Sequence, residues 1–107
     1  MATLADYPVA QTILQQIGGG QFLVMTGSKI ASVTDDSITF RLTRNTASAT
    51  FLKITYKPGP DAYTMEFTRV RKMALLPVET IEDVYFDQLQ DIFERVTGLY
   101  TTLFGRR

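Results

Sequence analysis

The residue types best suited to chemistry in this chain crowd into GGGQFLVMTGSK, from Gly18 to Lys29. Glycines followed by a lysine and a hydroxyl are what a phosphate-binding loop uses. Its backbone N–H groups wrap the anion, and a helix N-terminus adds positive potential. Such a loop follows the pattern G-x-x-x-x-G-K-[ST]. Here the order is Gly27-Ser28-Lys29, with six residues between Gly20 and Gly27. The first glycines also end a helical pattern, so a phosphate there would meet the negative end of a helix. The stretch therefore predicts a helix cap, then a buried strand over 22–26, then a turn or bulge at Gly27.

The other chemistry is limited by what the chain lacks. It has no cysteine and no histidine. That removes disulfides, thiolate sites, the Ser-His-Asp and Cys-His arrangements and the commonest metal ligand. Carboxylates, lysines and tyrosines remain. Asp83, Asp87 and Asp91 are spaced four apart, which on a helix places them along one face. Such a stripe is ordinarily a solvated face; as a site, it would meet a basic partner protein. A metal needs ligands converging from several elements, and Asp35, Asp36 and Asp61 fall in turns with no evident relation to the stripe. The expectation is a non-enzymatic protein with no cofactor and no metal.

Net charge is zero, yet the charges are segregated. Residues 29–72 carry eight Lys/Arg against four Asp/Glu, and residues 73–104 carry six acids against Arg95 alone. The basic residues interleave with threonines: Thr39, Arg41 and Thr43, then Lys53, Thr55 and Lys57, then Thr64, Glu66 and Thr68. Threonine and lysine suit any exposed strand face. They also suit a platform for nucleic-acid phosphates. The candidate contacts are Arg41, Arg44, Lys53, Lys57, Arg69 and Arg71, extended by Lys72. Single-strand binders also stack bases on aromatic rings, and of the strand aromatics only Phe51 shares the outward parity.

Positioning these residues needs a scaffold. Val9, Ala10, Ile13, Leu14 and Ile17 have helical spacing, with Pro8 suited to the first turn and Gly18 to the end. Besides 22–26, the segments 37–44, 50–57 and 62–72 alternate as strands, separated by Asp35-Asp36, by NTASA and by PGPD. The stretch 74–83 contains Pro77 and reads as a connection. A second helix is predicted over 83–98. It either stops at Gly98, with Leu99 folding back on Phe93, or runs on toward Phe104. The pattern is α-β-β-β-β-α: one two-layer α+β domain over residues 1–107, a four-stranded antiparallel sheet with both helices on one face. No apolar run approaches the ~20 residues of a membrane span, and MATLADYPVAQ has no basic leader pattern. A cytoplasmic protein without a membrane partner is expected.

Several blocks also resemble a set of small uncharacterised bacteriophage and mobile-element proteins. They are TILQQIGGGQFLVMTGSK, SITFRL, FLKIT and VYFDQLQDIF, the last followed after three residues by TGLYTTL. The resemblance covers most of the chain, although SKIAS and the longer PGPDAY turn depart from it. It implies a phage-type origin and a coherent fold, and it supplies no activity. The expectation for function is a binding protein, in the first place a nucleic-acid-associated accessory protein using the Thr/Arg/Lys face. The alternative is an inhibitor of a host defence complex acting through the acidic helix. A homodimer, formed through opposite charges, a sheet edge or the LYTTLF tail, is the third association considered.

Overall fold

The computed structural model describes residues 6–99 and 101. Helix α1 spans Pro8–Ile17, with Pro8 in its first turn and Ala10, Ile13, Leu14 and Ile17 buried. Gly18 stops it in a left-handed conformation (φ 129°), and the Gly18 N–H returns to the carbonyls of Leu14 and Gln15. A side chain could not follow: a Cβ at Gly18 would sit 3.0 Å from Gln90 Nε2 and from Phe22 Cβ. Gln90 Nε2 donates to the Ile17 carbonyl at 3.0 Å, satisfying a group that the helix end leaves free.

The predicted strand over 22–26 is instead a second helix, α2, spanning Gly19–Thr26. A short apolar run fits a buried strand or a buried helix equally well. Here Phe22 and Thr26, four apart, face the core, while Val24 is 81% exposed. A strand would have placed Val24 on the same face as both. Gly27 ends α2 in the left-handed region, with φ 69°.

Five strands follow: β1 Lys29–Val33, β2 Ser37–Arg41, β3 Phe51–Lys57, β4 Ala62–Arg71 and β5 Ala74–Val84. They form one antiparallel meander in the order β1-β2-β3-β4-β5. The expected strands at 37–44, 50–57 and 62–72 are present. The count rises from four to five because 22–26 drops out and both edge strands were unforeseen. β1 is exposed nearly throughout, so its sequence carries no alternation. β5 tolerates Pro77 because it is an edge strand and because its pairing with β4 shifts between Phe67 and Thr68, leaving Val78 unpaired.

The chain ends its sheet at Val84 and makes a 3-10 turn at Phe86–Gln88 before helix α3, Leu89–Thr97. Gln88 Oε1 accepts from the Tyr85 N–H at 2.9 Å, and the Gln88 N–H donates to the Tyr85 carbonyl at 2.8 Å. The last helix thus begins six residues later than predicted. It stops at Gly98, which is left-handed (φ 75°) and donates its N–H to the Glu94 carbonyl. The Leu99 N–H goes to Thr97 Oγ1, and Thr101 folds back onto the Glu94 carboxylate through its N–H and its hydroxyl. The rest of the tail expected to reach Phe104 lies outside the described residues.

All three helices contribute to one core with the inward residues Ile38, Phe40, Leu52, Ile54, Met65 and Phe67. Phe22 is its hub. Its ring meets Phe40 of the sheet at 5.1 Å and Phe93 of α3 at 5.0 Å, both edge to face. Among the described residues no helix lies on the opposite face of the sheet. This two-layer α+β arrangement leaves that face without a helix over it, although its Ser37, Thr55 and Thr64 row is buried.

Candidate functional site

The open face is organised in rows by the strand register. One row runs Lys29, Arg41, Phe51, Thr68 across four strands. The next runs Ser32, Thr39, Lys53, Glu66, Thr80 across all five. A groove of about 420 Å³ crosses the sheet here, touching Ala31 and Ser32 at one edge and Leu75 at the other, with Phe51 and Lys53 between. Arg41 and Lys53 are exposed and Phe51 is half-buried; Phe51 lines the groove with Lys53 and Glu66, and Arg41 is its cross-strand partner.

Lys29 and Arg41 are direct cross-strand partners. Like charges placed opposite each other on one sheet face repel. Among the described residues the ion pair within 4.0 Å is Arg95–Glu79, both side chains open to solvent, with Glu79 opposite the core-facing Phe67 and so of the other parity from this face. Lys53 and Glu66 also face each other across strands without closing an ion pair.

The remaining candidates scatter. Lys57 shares the parity of Lys53 but lies four residues along β3, past the Ser37, Thr55 and Thr64 row, which is buried rather than exposed as predicted. Arg44 is exposed beyond the end of β2. Arg69 has the opposite parity to Thr68, and its guanidinium is occupied. It donates to the Ala47 carbonyl at 2.9 Å and to the Ser48 carbonyl at 3.1 Å, bracketing the 45–49 loop. Arg71 shares that parity, beside the β4–β5 turn. The structure thus gathers Arg41 and Lys53 from the predicted set and adds Lys29, which was legible only once β1 was known to be a strand.

The acidic stripe does not form. Asp83 belongs to β5, at a register shift between Tyr63 and Met65, with left-handed backbone (φ 57°). Asp87 is in the 3-10 turn and Asp91 in the first turn of α3. Their four-residue spacing is not a helical spacing, because no helix joins them. Among the described residues no group of three acids is arranged to hold a metal ion, and no helix is long and apolar enough to cross a membrane.

The glycine stretch is also resolved. Gly19 and Gly20, expected only to end a helix, instead open α2, but Lys29 follows the other end of that helix. Glycines and lysine therefore bracket the helix instead of converging. Thr26, Ser28 and Thr43 form a closed hydroxyl set at its end: Thr26 Oγ1 and Ser28 Oγ are 2.7 Å apart, and Thr43 Oγ1 donates to the Thr26 carbonyl at 2.7 Å.

A second concave site was not foreseen. On the helix side of the sheet, where β3 turns into β4, a cavity of about 500 Å³ is walled by Tyr56, Tyr63, Tyr85 and Phe86, with Asp61 and Asp87 at its rim. Tyr56 and Tyr63 are cross-strand partners with ring centroids 5.6 Å apart. The Tyr56 hydroxyl donates to Asp61 Oδ1 at 2.6 Å, and the Tyr63 hydroxyl donates to Gln16 Oε1 of α1. Both phenols are held above their ordinary range. For Tyr56 the main cause is the bond to the Asp61 carboxylate, which an ionised phenol would lose. For Tyr63 the main cause is burial. The only sequence signal for this site was the matched inward parity of Tyr56 and Tyr63 across the PGPD turn.

No family model, curated protein or solved structure matches the chain.

Proposed function

We propose that this chain is a small, non-enzymatic binding domain whose open sheet face receives single-stranded nucleic acid. The observation that carries the proposal is the Lys29–Arg41 cross-strand pair beside Phe51. Opposed like charges weaken a sheet, and a bound phosphate between them turns that repulsion into attraction. Phe51 offers a ring on which one base can stack, and Lys53 lies one row away for the next phosphate. Thr39 and Thr68 add hydroxyl donors on the same floor.

The resemblance of several sequence blocks to phage and mobile-element proteins would fit an accessory role of this kind. The alternative, a protein-interaction factor acting through an acidic helix, has less support, since Asp83, Asp87 and Asp91 lie on three different elements.

The test is a pair of double variants assayed by anisotropy of a labelled oligonucleotide. Arg41→Glu with Lys53→Glu should abolish binding at low salt. Asp87→Lys with Asp91→Lys should leave it intact or strengthen it. Equal binding by both variants and the wild type, with the fold preserved by circular dichroism, would remove the sheet face from consideration.

A further inference from the structure

The tyrosine-walled cavity is independent of the sheet face and has the opposite chemistry. Four aromatic rings and two carboxylates surround it, and among the described residues no lysine or arginine lines it. The negative faces of aromatic rings attract cations, and cages of such rings recognise quaternary and methylated ammonium groups, whose charge is spread over methyls and weakly hydrated. We propose that this cavity binds an alkylammonium head group, seated among Tyr56, Tyr63, Tyr85 and Phe86, with Asp61 and Asp87 supplying the counter-charge.

Three features of the site support that assignment. Its walls are fixed before any ligand arrives: both inner phenols are tied by their hydroxyls, to Asp61 and to Gln16. Donation from the Tyr56 hydroxyl to a carboxylate also raises electron density on that ring, which deepens the attraction of its face for a cation. Its outer walls are unsatisfied: Tyr85 is 51% and Phe86 61% exposed, adjacent large rings that the core does not use. The size is appropriate for a head group with part of its substituent. A neighbouring cavity of about 270 Å³ shares Gln16, Tyr56, Asp61 and Tyr63 and continues toward Pro8 and Thr12 of α1. That continuation gives a longer substituent somewhere to lie.

The same head group could come from a free choline-type molecule or from a trimethyllysine side chain on a peptide. Two-dimensional NMR titrations of the whole chain distinguish them. The probes are tetramethylammonium, choline, a trimethyllysine peptide, its unmodified counterpart, and 3,3-dimethylbutanol, the neutral carbon isostere of choline. The expected result is saturable shifts at the Tyr85, Phe86 and Asp87 amides with the ammonium probes, and much weaker binding of the neutral isostere.

If choline binds as well as the methylated peptide, the natural ligand is a small molecule. If the methylated peptide binds more tightly and the unmodified one does not bind, it is a modified protein. Tyr85→Ala and Phe86→Ala, both at exposed positions, should each weaken binding by roughly 2- to 30-fold. Asp87→Asn should weaken the charged probes and leave the isostere unchanged. Equal affinity for choline and its isostere, unaltered affinity in Tyr85→Ala, or no shift with any ammonium probe at millimolar concentration would overturn the proposal.

Discussion

Replacing Lys29 with glutamate should make the protein more stable and a poorer binder at once. Lys29 and Arg41 are direct cross-strand partners on an exposed face. Opposite residues in an antiparallel pair have Cβ atoms roughly 5 Å apart, and a charge pair there is worth about 0.2–1 kcal/mol. Reversing one charge replaces a repulsion by an attraction, so the gain approaches the upper end, about 1 kcal/mol. For a domain of this length that is a rise in Tm of roughly 4–8 °C. The gain is electrostatic and solvent-exposed. It should therefore shrink as ionic strength rises from 0.05 to 0.5 M, where the screening length falls below roughly 5 Å. Thermal melts by circular dichroism at the two salt concentrations measure both effects. The same variant should bind a single-stranded oligonucleotide more weakly, since one phosphate contact is lost and an acid now faces the backbone. A Lys29→Glu protein that is less stable than wild type at low salt would show that the pair does not repel. One that is more stable yet binds unchanged would detach the pair from function.

Other consequences follow from the backbone and the phenols. Gly27→Ala should cost at least about 1–2 kcal/mol. Its φ is 69°, and the new Cβ would lie 2.7 Å from Thr43 Cγ2, a side chain already tied to the Thr26 carbonyl; urea unfolding measures the loss. The β4–β5 turn holds Lys72 (φ 51°) and Met73 (φ 65°) both left-handed, the geometry of a two-residue type I′ turn. Changing the pair to Asn-Gly should stabilise the protein by about 1 kcal/mol, read from the same unfolding curves. Tyr56 and Tyr63 are both harder to ionise in the fold than in the unfolded chain. Their contribution is therefore complete below the unfolded value of about 10 and is lost as pH rises above it toward the folded values. Tm should fall across that alkaline window, and Tyr56→Phe should make the fall shallower.

The parts of the fold that were legible in the sequence are those with local punctuation or a clean period. α1 is bounded by Pro8 and Gly18, and Gly98 ends α3, because each residue has a backbone preference that acts without neighbours. β2, β3 and β4 are central strands with one face packed against the helices, so their sequences alternate between apolar and polar residues. The two edge strands do not. β1 is exposed on both faces, and Pro77 with the pairing shifts of β5 erases its period. Phe22-Leu23-Val24-Met25-Thr26 was ambiguous because five apolar-rich residues cannot distinguish one period from the other; the left-handed Gly18 and Gly19, which turn the chain into α2, decided it. Asp83 was misplaced for a related reason: four-residue spacing means one face only if a single helix spans it.

The candidate site followed the same division. Arg41, Lys53 and Phe51 could be placed on a common face from parity alone, because they lie on central strands. Lys29 could not, since its strand was invisible. Arg69 looked equivalent to its neighbours until the 45–49 loop was seen to claim its guanidinium. The tyrosine cavity draws on α1, both strands flanking the PGPD turn, and the 3-10 turn. Residues so far apart in the chain leave no spacing to read.

The most direct measurement of the central claim is the salt dependence of single-stranded oligonucleotide binding to the wild-type protein, by fluorescence anisotropy from about 50 to 200 mM salt. If Lys29, Arg41 and Lys53 each neutralise a phosphate, log K should fall against log salt with a slope of about −2, a loss of roughly 20-fold across that range. With Arg41→Glu and Lys53→Glu together, residual binding should fall close to zero. Binding absent at 50 mM salt, or present with a slope near zero, would contradict a nucleic-acid platform on the open sheet face.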